Sequence, residues 1–160
     1  MNLRVGLGYD VHAVGGDRPL VLGGVRVDGP GLVGHSDADP IAHAVADALL
    51  GAAHLPDLGT IFPADDDRYR DADSIALLQE VVARVTAQGW SVANVDVVVV
   101  AERPRLAPHR EAMNATLSAA VGAPVNVKPK RGEGVGALGR GDGIAVTAVA
   151  LLVTELNGDA

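Results

Sequence analysis

Cysteine is absent from the 160 residues. That excludes disulfides, thiolate metal sites and cysteine nucleophiles. Aromatic residues are scarce: Tyr9, Phe62, Tyr69 and Trp90 are the full set. The core must therefore be built from Val, Leu, Ile and Ala. Aromatic platforms for stacking single-stranded nucleic acid are excluded. Positive charge is in the minority, with 13 Lys and Arg against 20 Asp and Glu and a formal net charge of −7. A general nucleic-acid binder carries the opposite balance. An anionic ligand must instead be held locally, by a metal, by backbone N–H groups or by a small Arg/Lys cluster. No apolar run reaches the length of a membrane-spanning helix, and Met1 to Gly6 lacks the apolar stretch of a signal peptide. A cytoplasmic protein without nucleic-acid or membrane partners is expected.

What is present is a dense apolar pattern, 48% of residues, too high for a disordered chain. The length fits one domain over residues 1–160. Leu3 to Leu7 reads as a short strand closed by Gly6 and Gly8. Leu20-Val21-Leu22 and Val25-Arg26-Val27 flank Gly23-Gly24, a hairpin signal. Asp39-Pro40 marks a helix start. Ile41, Val45, Leu49 and Ala52 then recur at helical spacing to about His54. Pro56 to Asp73 reads as a long polar loop. A second helix begins at Asp73 or Ser74, and Gly89 ends it. Val92 to Val100 is apolar enough for a strand buried on both faces. A third helix opens at Pro108, a short strand spans Val125 to Lys128, a glycine-rich stretch runs from Gly132 to Gly143, and Ile144 to Val153 is a last strand. This order predicts an α+β sandwich, a mixed sheet with helices on one face.

Three histidines stand among acids. Asp10 and His12 are two apart, so on an extended backbone they share a side. His43 lies on the first helix, off its Ile41/Val45/Leu49 face. One Asp and two His compose a three-ligand divalent-metal set of the zinc type, with a position left open for catalysis. Taken singly, Asp-x-His is also what chance supplies, and His43 could equally be a surface residue. His35 and Ser36 precede a helix N-terminus, which offers N–H groups to an anion, although a polar capping loop has the same residues. Gly132-Glu133-Gly134-Val135-Gly136-Ala137 imitates a dinucleotide fingerprint. It lacks the required following helix, since more glycine and then a strand come next. Lys128, Lys130, Arg131 and Arg140 lie close together in the glycine-rich stretch, as an anion-holding device or a solvated basic loop.

Several segments, in order and spacing, resemble the 2-C-methyl-D-erythritol 2,4-cyclodiphosphate synthase family of the non-mevalonate isoprenoid pathway. They are Gly8-Tyr9-Asp10-Val11-His12, Gly34-His35-Ser36-Asp37-Ala38-Asp39, and the helix from His43 to Ala52. Asp57-Leu58-Gly59-Thr60-Ile61-Phe62-Pro63, Asn94-Val95-Asp96, Arg103 to His109 and Gly139-Arg140-Gly141-Asp142-Gly143 follow. The resemblance covers essentially the whole chain. It implies a homotrimer with active sites between subunits, and a zinc or manganese ion on Asp10, His12 and His43. It implies a magnesium ion with the substrate diphosphate, for which Glu133 is the assigned position. His35, Arg131 and Glu133 are the implied catalytic positions. The implied substrate contacts are Asp10, His12, His35, Ser36, Asp57, Gly59, Phe62, Asp65 and Asp66 on one side. On the other they are Ala101, Arg105, Leu106, Lys130, Arg131, Glu133, Ala137 and Arg140. The cytidine strip, Ala101 to Ala107, is expected from a neighbouring subunit. Arg140 and Asp142 would line the trimer's central cavity. The implied reaction turns a CDP-linked methylerythritol 2-phosphate into a cyclic diphosphate and CMP.

The chain departs from the family where an Ala-Thr-Thr-Thr-Glu-Lys run is usual. Pro129-Lys130-Arg131-Gly132-Glu133-Gly134 stands there, so Arg131 occupies the place of a phosphate-contacting threonine. Ala38 replaces a glycine and Ala64 an aspartate. The other readings are a metal- and CDP-binding module without turnover, and a lyase for a different CDP-linked substrate.

Overall fold

The computed structural model describes residues 1–154; the last six residues of the expected 1–160 domain lie outside it. A five-stranded mixed sheet is the frame, in the order β4-β1-β7-β5-β6. Its strands are β1 (Asn2–Gly16), β4 (Gly31–Leu32), β5 (Ser91–Val100), β6 (Val125–Lys130) and β7 (Gly143–Thr154). β7 is antiparallel to β1 and β5, and β5 and β6 run parallel. The helices α1 (Pro40–Ala52), α3 (Ser74–Ala87) and α4 (Arg110–Val121) enclose one core with it. The α+β architecture with a mixed sheet is thus as the sequence predicts. The core is aliphatic: Ile41, Leu49, Leu78, Val97, Leu117 and Leu152 are fully buried, and Trp90 is its one aromatic member.

The hairpin of β2 (Val21–Leu22) and β3 (Val25–Arg26) turns through Gly23 and Gly24, both at positive φ as a type I′ turn requires. Asp39 caps α1, and its buried carboxylate accepts from the backbone N–H groups of Ile41, Ala42, Gly23 and Gly24. One side chain therefore fixes both the helix start and the hairpin over it.

Four sequence expectations change. β1 is a strand of 15 residues, so Gly6 and Gly8 lie inside it rather than closing it. A Cβ on Gly6 would sit 1.9 Å from the Ala48 carbonyl oxygen, and one on Gly8 1.9 Å from that of Ala44. These glycines let the backbone of α1 lie directly on the strand. β5 alternates: Val95, Val97 and Val99 are buried, while Val92, Val98 and Val100 are only half-buried. The polar stretch from Pro56 to Asp73 holds a short helix α2 (Leu58–Ile61), capped by Asp57, and a 3-10 turn at Asp67–Tyr69. The glycine-rich stretch holds α5 (Gly136–Arg140), ended by Gly141 in the left-handed conformation.

Candidate metal and phosphate site

Along β1 the even-numbered residues face α1. Gly6 and Gly8 seat the helix, and Asp10 and His12 continue the same face beyond its first turn. Of the 13 residues of α1, ten are buried; His43, Asp47 and Gly51 are not. The helix therefore presents His43 to Asp10 while its Ile41, Val45 and Leu49 face fills the core. The Asp10 Oδ2 atom is 3.0 Å from His12 Nε2 and 3.1 Å from His43 Nδ1. One ligand atom from each residue lies within 4.8 Å of the other two. The structure thus brings the predicted trio together.

The donor set fits a divalent cation. His12 Nδ1 is 2.7 Å from the Val33 carbonyl oxygen, which can only accept, so the proton sits on Nδ1. The remaining nitrogen, Nε2, then presents a lone pair to a carboxylate oxygen. Two acceptors facing each other need a cation between them or a second proton on the ring. Burial lowers the affinity of His12 for that proton, but the hydrogen bond and charge of Asp10 outweigh it, and the pKa is raised above its usual 6.5. Burial likewise pushes the Asp10 carboxyl up, while the two imidazoles hold it well below the usual carboxylate range. Without metal, the Asp10–His12 pair stabilises the fold below the ordinary imidazole pKa and loses that effect as pH rises through the raised one. Metal competes with that proton. Zinc affinity should therefore climb as pH rises through the raised His12 pKa, with protons released on binding. Calorimetry in buffers of different ionisation enthalpy reads this; a pH-independent affinity would mean His12 is not a ligand.

A cavity of about 340 Å³ opens over the trio. His35 and Ser36 line it, as do Gly59 and Phe62 of the 57–66 segment, with Tyr69 stacked edge-on against Phe62 at 5.2 Å. His35 Nε2 donates to the Asp66 carbonyl at 3.2 Å. Asp57 is spent differently: its side chain accepts the Thr60 N–H as the cap of α2. Asp65 is not part of this wall. Asp47 accepts the Leu58 N–H at 2.8 Å, which ties α2 to α1. Its pKa is pushed up by burial, with the Leu58 N–H working against this.

A second cavity of about 300 Å³ gathers Ala101, Arg105, Leu106, Lys130, Arg131 and Glu133, six of the expected contacts. Glu102, which sequence reasoning missed, organises it. One of its carboxylate oxygens accepts from Arg131 at 2.5 Å and the other from the Gly132 N–H at 3.1 Å. The Arg131 hydrogen bond holds the Glu102 carboxyl below its usual range. Glu133 sits at φ 52°, a left-handed residue that turns the loop. Ala137 and Arg140 are on α5 and belong to neither wall; Arg140 instead pairs with Asp142 at 2.9 Å.

The YgbB family model matches residues 3–153. A 2-C-methyl-D-erythritol 2,4-cyclodiphosphate synthase of Bordetella avium is 53% identical over 156 residues, covering 95% of this chain and 96% of that protein. The bifunctional IspDF of Campylobacter jejuni superposes with a TM-score of 0.90 at 36% identity, over 94% of this chain and 42% of the longer one. The CDP complex of IspF from Plasmodium falciparum has a TM-score of 0.83 at 28% identity, over 97% and 98% of the two chains.

Proposed function

The chain belongs to the YgbB family, and from that premise we propose that its two cavities hold the two ends of one CDP-linked substrate. It is an enzyme, as relatives named 2-C-methyl-D-erythritol 2,4-cyclodiphosphate synthase are, and its reaction is that of a phosphorus–oxygen lyase in isoprenoid biosynthesis. The reaction converts 4-diphosphocytidyl-2-C-methyl-D-erythritol 2-phosphate to 2-C-methyl-D-erythritol 2,4-cyclodiphosphate. An oxygen of the 2-phosphate forms a bond to the β-phosphorus. The bond from that phosphorus to the bridging oxygen breaks, and its electron pair leaves on CMP. The observation that carries this reading is the convergence of Asp10, His12 and His43 on the floor of a cavity that also holds His35 and Ser36.

Asp10, His12 and His43 would hold zinc or manganese; when bound, the ion polarises a phosphate oxygen and offsets the charge of attacker and target. Glu133 is the side chain assigned to a magnesium ion on the diphosphate, an ion that takes few protein ligands. The Ser36 hydroxyl donates to the phosphates, with His35 beside them. Gly59 and Phe62 enclose the methylerythritol part, with Asp57 and the 65–66 segment at its edge. Ala101, Arg105 and Leu106 hold the cytidine. Lys130 and Arg131 meet the diphosphate, Arg131 with a planar fork where the family has a hydroxyl. Ala137 and Arg140 complete the set from α5. Fixed contacts at both ends bend a flexible chain into the ring-closing geometry, an orientation effect that needs no side-chain nucleophile.

The odd-numbered residues of β1 support a homotrimer. Leu3, Val5, Leu7, Tyr9 and Val11, with Val149 of β7, form an apolar ladder 42–69% exposed. A ladder of that extent marks a covered interface, and it would bring the cytidine cavity of one copy to the metal cavity of the next. We read the chain as a cytoplasmic enzyme with a single domain over the described residues; no described helix is long and apolar enough to cross a membrane.

Phosphorus NMR of the protein with that substrate, magnesium and zinc tests the activity. Cyclic diphosphate and CMP are the expected products. Bound zinc and CDP without product would leave a binding module. Arg131→Thr restores the family residue and frees Glu102; turnover should be kept within about threefold or rise, since the threonine hydroxyl takes over the phosphate contact and the ion pair it removes is exposed and weak. A loss above tenfold in kcat would mean that Arg131 has a specific role in this loop.

A further inference from the structure

The metal reading above accounts for one nitrogen of each imidazole; the other nitrogen of His43 is held by groups outside the site. His43 Nε2 is 2.9 Å from the hydroxyl of Ser74, the first residue of α3, which is 1% exposed. A hydroxyl has one proton to give. The Ser74 proton goes to Asp37 Oδ1, in a short hydrogen bond. Asp37 is held in place by two further contacts: its other oxygen accepts the Ser74 N–H at 3.0 Å, and Oδ1 also accepts the Asp39 N–H at 3.2 Å. With its proton committed, Ser74 offers His43 only a lone pair. The His43 Nε2 must then be the donor, and in the neutral ring Nδ1 is bare, 3.1 Å from Asp10 Oδ2. Ser36 Oγ also approaches Nε2, at 3.2 Å, and accepts the Ala38 N–H at 3.2 Å. That leaves the Ser36 proton free to turn toward the cavity.

We infer that Asp37 and Ser74 are positioning residues of the metal centre: a carboxylate–hydroxyl–imidazole relay makes His43 bind metal through Nδ1, while the Val33 carbonyl makes His12 bind through Nε2. The relay does two things. It orients the His43 ring, and it places negative charge behind the ligating nitrogen, which raises its basicity toward the metal. Neither residue lines either cavity. The inference rests on the metal assignment above. A docking role for Asp37 alone would need only the Ser74 backbone N–H; the buried hydroxyl set between carboxylate and ring is the part that such a role leaves unused.

The test uses the zinc-loaded protein with 15N-labelled histidine. The wild type should show His43 metallated at Nδ1 with a slowly exchanging proton on Nε2, and His12 with the reverse pattern. Ser74→Ala removes the hydroxyl and keeps the backbone contact to Asp37. Zinc affinity, measured by competition with a chromogenic chelator, should fall about 10–100-fold, and the His43 ring proton should exchange rapidly with water. Ser74→Thr, which restores the hydroxyl, should recover both. Ligation of wild-type His43 through Nε2 would overturn the relay, whatever the variants do. Unchanged affinity and an unchanged ring proton in Ser74→Ala would overturn it as well. A wild type that takes up no zinc overturns the metal assignment and the relay together. The expected proton pattern without cyclic product would uphold the relay while removing the cyclase reading.

Discussion

Replacing His43 with alanine is expected to strip the protein of stoichiometric zinc and to lower turnover by about a thousandfold. Asp10 and His12 would remain, but two protein ligands do not make the three-ligand arrangement of a catalytic zinc site. The lost polarisation of a phosphate oxygen is a matter of several kcal/mol, and about 1.4 kcal/mol corresponds to each factor of ten in rate. His43 points out of the core, so the fold should survive the change. Metal content and a thermal melt on the same sample separate the two effects. Zinc retained at one equivalent by a folded variant would remove His43 from the ligand set.

A second large effect is expected at a residue with no side chain. Gly8→Ala puts a methyl group 1.9 Å from the Ala44 carbonyl oxygen and 2.7 Å from the Ala48 nitrogen. Backbone cannot give way as a flexible side chain can, so α1 must lift off β1. Overpacking of this kind lies at the upper end of its usual range, about 3 kcal/mol, which for a chain of this length is about 10 °C in Tm. Zinc should be lost too, because lifting the helix withdraws His43 from Asp10. A melting temperature within about two degrees of wild type would show that helix and strand are not in direct backbone contact.

The metal trio was legible in the sequence because its spacing puts each part on a defined face, although each part taken singly also had a bland reading. Asp10 and His12 share a strand face, and His43 leaves the apolar face of a helix whose cap is visible at Asp39. The length of β1 was not legible. Gly6 and Gly8 look like strand ends when only local conformation is considered, and their reason is the helix backbone lying across them. α5 was hidden for a related cause, since a five-residue helix among glycines has no periodicity to read. The valine run of β5 looked doubly buried because composition reports apolarity and not which neighbour covers it. The roles of Asp37, Ser74 and Glu102 escaped as well, and Asp47 was legible as a neighbour of His43 on its helix face but not as the partner of Leu58. Each acts on a partner at least 11 residues away, and nothing in the intervening sequence connects them.

The alternation along β1 makes that strand a reading frame. Inward positions carry, in order, the seat of a helix and the Asp10–His12 pair; outward positions carry the apolar ladder. A single-residue insertion between Gly8 and Asp10 would put the two parts of the strand out of frame with each other. Either Leu7 and Val5 would be driven into the helix backbone, or Asp10 and His12 would be turned out among apolar side chains. A deletion would do the same. Length changes in this strand are therefore forbidden even where nearly any outward-facing substitution between apolar residues is tolerated.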